Sequence, residues 1–196
     1  MTESRGTYQW LRVQARDRSW TSAYERLTES GLGAFDVWGV FSGLFGIGSN
    51  EVVIVLHGDG DTPTEGLAAA GFDIVDSHRL VPTVRPASFA PVTRPGLYVF
   101  RFFDVAHDDV EEIARLSEEA WTTFEAADAY AAEPQALFAQ ADRSAPTGVM
   151  LLVTWYDGLE SWQTSRAPAP EATENFRRRR ELTQGTIAYA TTLVER

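Results

Sequence analysis

Hydrophobic and polar residues along the chain follow two different periods, which predict strands and helices in alternation. Residues 7–15 alternate along a predicted strand, with Leu11 and Val13 on one side and Trp10 and Arg12 on the other. The segment that follows carries apolar residues at helical spacing and ends at a glycine, which predicts a helix. The same patterns predict further strands over 35–47, 51–57 and 72–84 and a short helix over 64–70.

The order of elements recurs after a segment, 85–95, that contains three prolines and no periodic pattern. Both halves have the order β-α-β-β-α-β, which predicts an α+β fold of two ferredoxin-like repeats. Sliding the second half back by 89 residues pairs Arg12 with Arg101. In the second half the patterns predict strands over 96–105, 136–141, 148–156 and 184–194 and helices over 107–127, near 159–164 and up to 182. The predicted domains are an N-terminal repeat over 1–84, a linker over 85–95 and a C-terminal repeat over 96–196.

Composition narrows the classes of function. The 196 residues carry a formal net charge of -11, which disfavours binding to nucleic acid or to an anionic membrane surface. There is no cysteine, so disulfides, thiolate metal sites and cysteine nucleophiles are excluded. The start of the sequence lacks a basic segment followed by an apolar run, and no apolar stretch approaches about 18 residues. We therefore expect a cytoplasmic protein.

Three features of the second half carry a family resemblance. They are the strand Tyr98-Val-Phe-Arg101, the amphipathic helix after it, and the run from Trp155 to Trp162, where an aromatic strand end precedes a turn and a short helix. Together they resemble the NIPSNAP-like branch of the dimeric α/β-barrel superfamily. The resemblance implies two four-stranded antiparallel sheets that face each other as a barrel, with helices outside. Usually two chains supply the sheets, whereas here one chain can supply both.

The predicted barrel gives each strand one side toward the helices and one toward the interior. Val52, Ile54 and Leu56 suit the helix side, as do Leu11 and Val13. We predict that the interior is lined by Trp10, Arg12, Gln14, Val53, Val55, His57, His78, Val99, Arg101, Phe103, Leu151, Val153, Trp155 and Tyr189. From this set, the candidates for ligand contact are Arg12, Arg101, His57, His78, Tyr189, Trp10, Phe103 and Trp155.

The candidate side chains suit a hydrophobic or aromatic molecule that carries an anionic or carbonyl group. An arginine would hold the anion with its planar fork, and a histidine would act as an acid or base near neutral pH. The alternative for Arg12 and Arg101 is a structural pairing with carboxylates across the sheets. The alternative for His57 and His78 is a structural or exposed position. The arginines at 177–180 are expected to form surface ion pairs.

Three functions remain open at this point. The first is a small-molecule binding protein of the barrel type, with cofactor-independent oxygenase or isomerase chemistry as an extension. The second is a non-catalytic structural or interaction protein with a filled barrel. The third is a haem protein, as the superfamily's chlorite dismutase-like group implies, with His57, His78 or His107 as the axial ligand. The histidine spacing predicts no metal site, and we expect no other cofactor. The expected assembly is a monomer with an internal pseudo-dimer, or a homodimer.

Overall fold

The structure, a computed structural model, describes residues 6–167 and 170–195, without the side chains of 170–172. Within these ranges eight strands and five α-helices follow the predicted order. The strands are β1 (Tyr8–Ala15), β2 (Asp36–Phe45), β3 (Glu51–His57), β4 (Phe72–Pro82), β5 (Leu97–Ala106), β6 (Ala132–Gln140), β7 (Thr147–Tyr156) and β8 (Thr183–Leu193). The helices are α1 (Ala23–Ser30), α2 (Thr64–Ala69), α3 (Val110–Glu125), α4 (Leu159–Thr164) and α5 (Pro170–Glu181), and a 3-10 turn (His107–Asp109) precedes α3.

The strands close into one antiparallel barrel in the order β1-β3-β2-β8-β5-β7-β6-β4. Each half contributes four neighbouring strands, β4-β1-β3-β2 from the first and β6-β7-β5-β8 from the second, and both sets have the same internal arrangement. The two sets join through β2 with β8 and through β4 with β6. The predicted fold class is therefore confirmed, with both sheets supplied by a single chain.

Two elements, β3 and α4, have the predicted bounds, whereas β6 is longer than the 136–141 predicted for it. Its first half contains Glu133, Pro134 and Gln135, which hide the strand pattern. The pairing of β6 with β7 shifts register between Pro134 and Ala136, so a bulge accommodates the proline. No helix among the described residues is both long and apolar enough to cross a membrane.

The outer faces of the strands pack against the helices in both halves. Leu11, Val13, Val52, Ile54 and Leu56 form one cluster with buried residues of α1 and α2, as predicted. In the second half, α3 packs its apolar stripe against the outer faces of β5, β6 and β7. Burial of these stripes gives the helices most of their stability, because isolated helices of this length are marginal in water.

The barrel interior is filled with aromatic side chains, so the predicted lined hollow is wrong. These side chains have almost no accessible surface and pack with ring centroids about 5–6 Å apart, for example 4.9 Å between Trp10 and Phe102 and 4.8 Å between Tyr8 and Phe138. The fully buried aromatic members of this cluster are Tyr8, Trp10, Phe41, Tyr98, Phe100 and Phe138.

The side chains of β5 face the opposite sides of the sheet from those predicted. Tyr98, Phe100 and Phe102 point inward, whereas Arg101 and Phe103 lie on the outer face with the helices, and Val99 also packs there. Phe100 occupies the interior place that Trp10 has on β1, so the repeats are related by 90 residues on these strands and not by 89. A one-residue error in register moves every side chain of a strand to the opposite face.

The segment 85–95 covers one end of the barrel. The amide of Val92 donates a hydrogen bond to the carbonyl oxygen of Trp38 at 2.7 Å, and the Val92 side chain joins the interior cluster. Phe89 stacks on His57 with ring centroids 4.5 Å apart. This connection between the halves is therefore packed against the barrel and closes that end.

Candidate functional site

A cavity of about 750 Å³ lies on the outer face of the C-terminal half, between the sheet and the helices. Strands β5, β6, β7 and β8 form its floor, and residues of α3, α4 and α5 form its walls. Its volume is in the range of small-molecule sites, which run from about 300 to 1,000 Å³. The aromatic residues that line it are Phe103, Trp121, Phe124, Tyr156, Trp162 and Phe176.

Two arginines reach this cavity from opposite sides. Arg101 comes from the floor, on β5, and Arg179 comes from α5, where only 7% of its surface is exposed. The Arg179 guanidinium lies over the rings of Phe103 and Phe176, 5.2 and 5.0 Å from their centroids. One of its amino groups donates to the hydroxyl of Ser117 at 3.2 Å. Aromatic faces hold the cation in place but leave its charge without a counter-ion.

Neither the buried Arg179 nor the half-buried Arg101 has an anionic partner in the described part of the chain. Arg101 makes no hydrogen bond or ion pair with these residues, and no described carboxylate lines the cavity. Burial lowers the pKa of Arg179 to about 10, and the positive charges of Arg101 and Arg180 add to this effect. Burial also lowers the pKa of Arg101, helped by the charge of Arg166. An unpaired buried charge destabilises the folded state, and an anion placed between the two guanidinium groups would compensate both.

Neutral polar groups complement the two cations. Tyr156 on β7 is buried and lines the cavity, and its hydroxyl makes no hydrogen bond with a described residue. The indole N–H of Trp162 is buried and has no hydrogen-bond partner among the residues that the structure describes. Thr154 and Ser165 add hydroxyl groups to the lining. The cavity thus combines aromatic walls with a few hydrogen-bonding groups around a cationic centre, the composition expected of a ligand site.

Of the predicted ligand contacts, Arg101 and Phe103 line this cavity, although on the opposite side of the sheet from the predicted one. Four others meet at one end of the barrel. The Trp10 ring lies 5.6 Å from that of His78 and 5.9 Å from that of Tyr189, and Arg12 lies 5.7 Å from the Tyr189 centroid. Arg12 also approaches Glu51 at 3.9 Å, which is the structural pairing that was its alternative.

The last two predicted contacts, His57 and Trp155, lie at the other end of the barrel. His57 packs between Phe89 and Tyr8, with centroid distances of 4.5 and 4.8 Å. The indole N–H of Trp155 donates to the carbonyl oxygen of Pro95 at 3.0 Å. Both side chains therefore hold the covering segment against the barrel.

The sequence interpretation missed Arg179 as a site residue. It treated the arginines at 177–180 as surface residues, which is right for Arg177 and Arg178, whose ion pairs are exposed. Arg179 instead stands three residues after Phe176 on the same side of α5 and turns inward with it. That spacing was the available signal, because Phe176 is the one large apolar residue of the helix.

The histidines do not fit haem ligation at this cavity. None of the described residues that line the cavity is a histidine. His78 packs against Trp10 and Phe102, and burial lowers its pKa although the neighbouring Asp76 opposes this shift. A ring nitrogen of His107 lies 2.7 Å from the carbonyl oxygen of Ala145. No step of the proposed function therefore passes through haem.

The fold and the site define a tandem ferredoxin-like α/β barrel with a cationic, aromatic cavity on one outer face. Solved structures share the fold. An anthrone oxidase-like protein is 13% identical with a TM-score of 0.65, over 99% of this chain and 93% of that chain. A chlorite dismutase mutant from Candidatus Nitrospira defluvii, in complex with cyanide, is 12% identical with a TM-score of 0.61, over 98% and 92%.

A third solved structure has the same architecture. It is a ferredoxin fold protein from Listeria monocytogenes related to antibiotic biosynthesis monooxygenases, 10% identical with a TM-score of 0.54, over 97% of this chain and 96% of that chain. No protein-family model matches the sequence, and no curated protein matches it. At these identities the likeness establishes the fold, and function rests on the site itself.

Proposed function

We propose that this protein is a NIPSNAP-like α/β-barrel protein that binds a small aromatic molecule bearing an anionic group in the outer cavity. Arg101 and Arg179 hold the anion, and the aromatic walls contact the rest of the molecule. The observation that carries this proposal is the buried guanidinium of Arg179 facing the half-buried Arg101, with no carboxylate partner for either among the described residues. The fall in the pKa of Arg179 corresponds to roughly 3 kcal/mol against the charged form, which a bound anion would offset.

Binding is favoured over catalysis by the groups that surround the cavity. An isomerase or a cofactor-independent oxygenase needs a group that accepts a proton from its substrate near neutral pH. The described lining offers arginines and Tyr156 but no histidine, aspartate or glutamate. The likeness to an anthrone oxidase-like protein and to a relative of antibiotic biosynthesis monooxygenases supports a small aromatic ligand, and we propose a binding role toward it.

The filled barrel agrees with one part of the structural-protein alternative. It argues against the interior as the binding place, whereas the outer cavity is available to a ligand. We propose a cytoplasmic protein without nucleic-acid or membrane partners, in keeping with its net charge of -11. The internal pseudo-dimer closes its own barrel and needs no second chain for that purpose.

A matched pair of probes tests the proposal. We expect 1-naphthoate to bind and to raise the melting temperature, and uncharged 1-naphthamide to do so much less, because only the carboxylate can bridge the two arginines. Arg101→Gln and Arg179→Gln should each weaken naphthoate binding about 10- to 100-fold, the worth of a hydrogen bond to a charged group. Isothermal titration calorimetry measures the affinities.

Arg12→Gln is the control for these variants, because Arg12 pairs with Glu51 away from the cavity. It should leave the affinity for naphthoate unchanged. The proposal is wrong if naphthoate does not bind, if naphthamide binds equally well, or if both cavity variants bind like the unmodified protein.

Removing the charge of Arg179 should stabilise the ligand-free protein, although the same charge is needed to bind the anion. Arg179→Met is expected to raise the free energy of unfolding by about 1 kcal/mol or more without ligand, because it replaces an unpaired buried cation with an apolar chain of similar length. The Ser117 hydroxyl keeps its hydrogen bond to the carbonyl oxygen of Ile113 at 2.7 Å. The exposed Arg177→Met is the control, with a change within about 0.5 kcal/mol. Urea unfolding measures both, and a marked loss of stability in Arg179→Met would show that the charge is already compensated.

A further inference from the structure

We propose that α5 is a lid over the outer cavity and that the bound anion completes its docking onto the sheet. This inference rests on the proposed function and concerns how the same site is opened and closed. The helix supplies Thr173, Phe176, Arg177, Arg179 and Arg180 to the cavity lining, so a ligand held there lies between α5 and the floor.

The composition of α5 is unusual for a helix packed on a sheet. Its sequence, PEATENFRRRRE, contains one large apolar residue, Phe176. By contrast, α3 buries a continuous apolar stripe of residues against the strands. A helix that is polar on nearly all sides depends on its own side-chain pairs or on other contacts for stability. The ion pairs of Arg177 with Glu174 and Glu181 support the helix itself but do not fasten it to the sheet.

Among the described residues, the polar contacts that join α5 to α3 are mostly exposed, as is the hydrogen bond that Asn175 donates to Glu119 at 3.4 Å. The Phe176 ring packs edge-on against Phe124 at 5.9 Å. The guanidinium of Arg178 approaches Glu112 at 3.2 Å, with both side chains largely exposed. Exposed ion pairs of this kind contribute between 0 and about 1 kcal/mol and are weakened by salt. Apart from Phe176, the deepest anchor of the helix is therefore Arg179.

Burial of the Arg179 guanidinium disfavours the docking of α5 as long as its charge has no anionic partner. In the docked position its guanidinium is removed from water and lies in the same cavity as Arg101, with no described carboxylate beside it. Undocking would return the charge to solvent. An anion between the two arginines pairs with both at once and is contacted fully only when α5 is docked. Because such a ligand binds the docked state better than the undocked one, it shifts the population toward the docked state.

Hydrogen exchange of the full chain, followed by mass spectrometry, tests the lid. Saturating 1-naphthoate should slow amide exchange in 173–181 at least ten-fold, while α1, on the opposite half, changes little. Arg179→Met should slow exchange of the same segment without any ligand, since the docked helix no longer buries a charge. Arg143→Met is the control, because that side chain does not line the cavity and its ion pair with Glu111 lies outside α5.

The outcomes separate the lid from the proposed function. Naphthoate that binds by calorimetry but leaves exchange in 173–181 unchanged overturns the lid and leaves the binding function standing. If naphthoate does not bind, the proposed function fails. Amide exchange in 173–181, compared between Arg179→Met and the unmodified protein without ligand, then shows whether the buried charge opposes the docking of α5. Unchanged exchange in that variant overturns the lid as well.

Discussion

Trp10→Ala is expected to lower the free energy of unfolding by about 3–5 kcal/mol, the usual effect of truncating a fully buried aromatic side chain. Trp10 has no exposed surface and packs against the rings of Phe102, His78 and Tyr189. These neighbours come from three other strands, so the space left by the indole cannot be closed by a shift of one strand.

The exposed Phe45→Ala is the control, because 64% of the Phe45 surface is accessible. Its effect should stay within about 0.5 kcal/mol. Urea unfolding followed by far-ultraviolet circular dichroism measures both variants. If Trp10→Ala were as mild as Phe45→Ala, the barrel interior would have to contain open space beside the indole, and the predicted hollow would return as a candidate ligand site.

Gly96→Ala is expected to lower the free energy of unfolding by about 3 kcal/mol, through backbone strain and steric overlap acting together. Gly96 has a φ of 146°, which residues with a side chain rarely adopt. A methyl group there would lie 2.3 Å from the indole nitrogen of Trp155 and 2.5 Å from the carbonyl oxygen of Tyr156. The indole is held by its hydrogen bond to Pro95, and the carbonyl belongs to the backbone of β7, so neither can move away freely.

Gly158→Ala is the matched control. Gly158 has an extended backbone with a φ of -179°, and an added methyl group would meet nothing within 4 Å. Its effect should stay below about 1 kcal/mol, the typical size of a substitution at an N-cap, the position that Gly158 occupies before α4. Equal stability of the two variants would show that the segment 85–95 is not held against the barrel in the way described above.

The candidate site was only partly predictable from the sequence. Arg101 and Phe103 were identified as ligand contacts because the match between the repeats, which pairs Arg101 with Arg12, placed both on the interior side of the strand, and both line the cavity. Their position relative to the barrel was assigned wrongly, because the residues of β5 are apolar on both faces and alternation alone cannot choose between them. Arg179 was missed because a run of four arginines shows no preferred face until the helix is packed.

By itself, the sequence determined the order of the elements, the two-fold repeat and the outward faces of β1 and β3, because these follow from local periodicity and from turn residues. Only the tertiary structure decided that the barrel interior is filled, which side of β5 faces it, and that one arginine of α5 is buried opposite Arg101. These features depend on register and on volume matching between strands distant in sequence, and a shift of one residue reverses them.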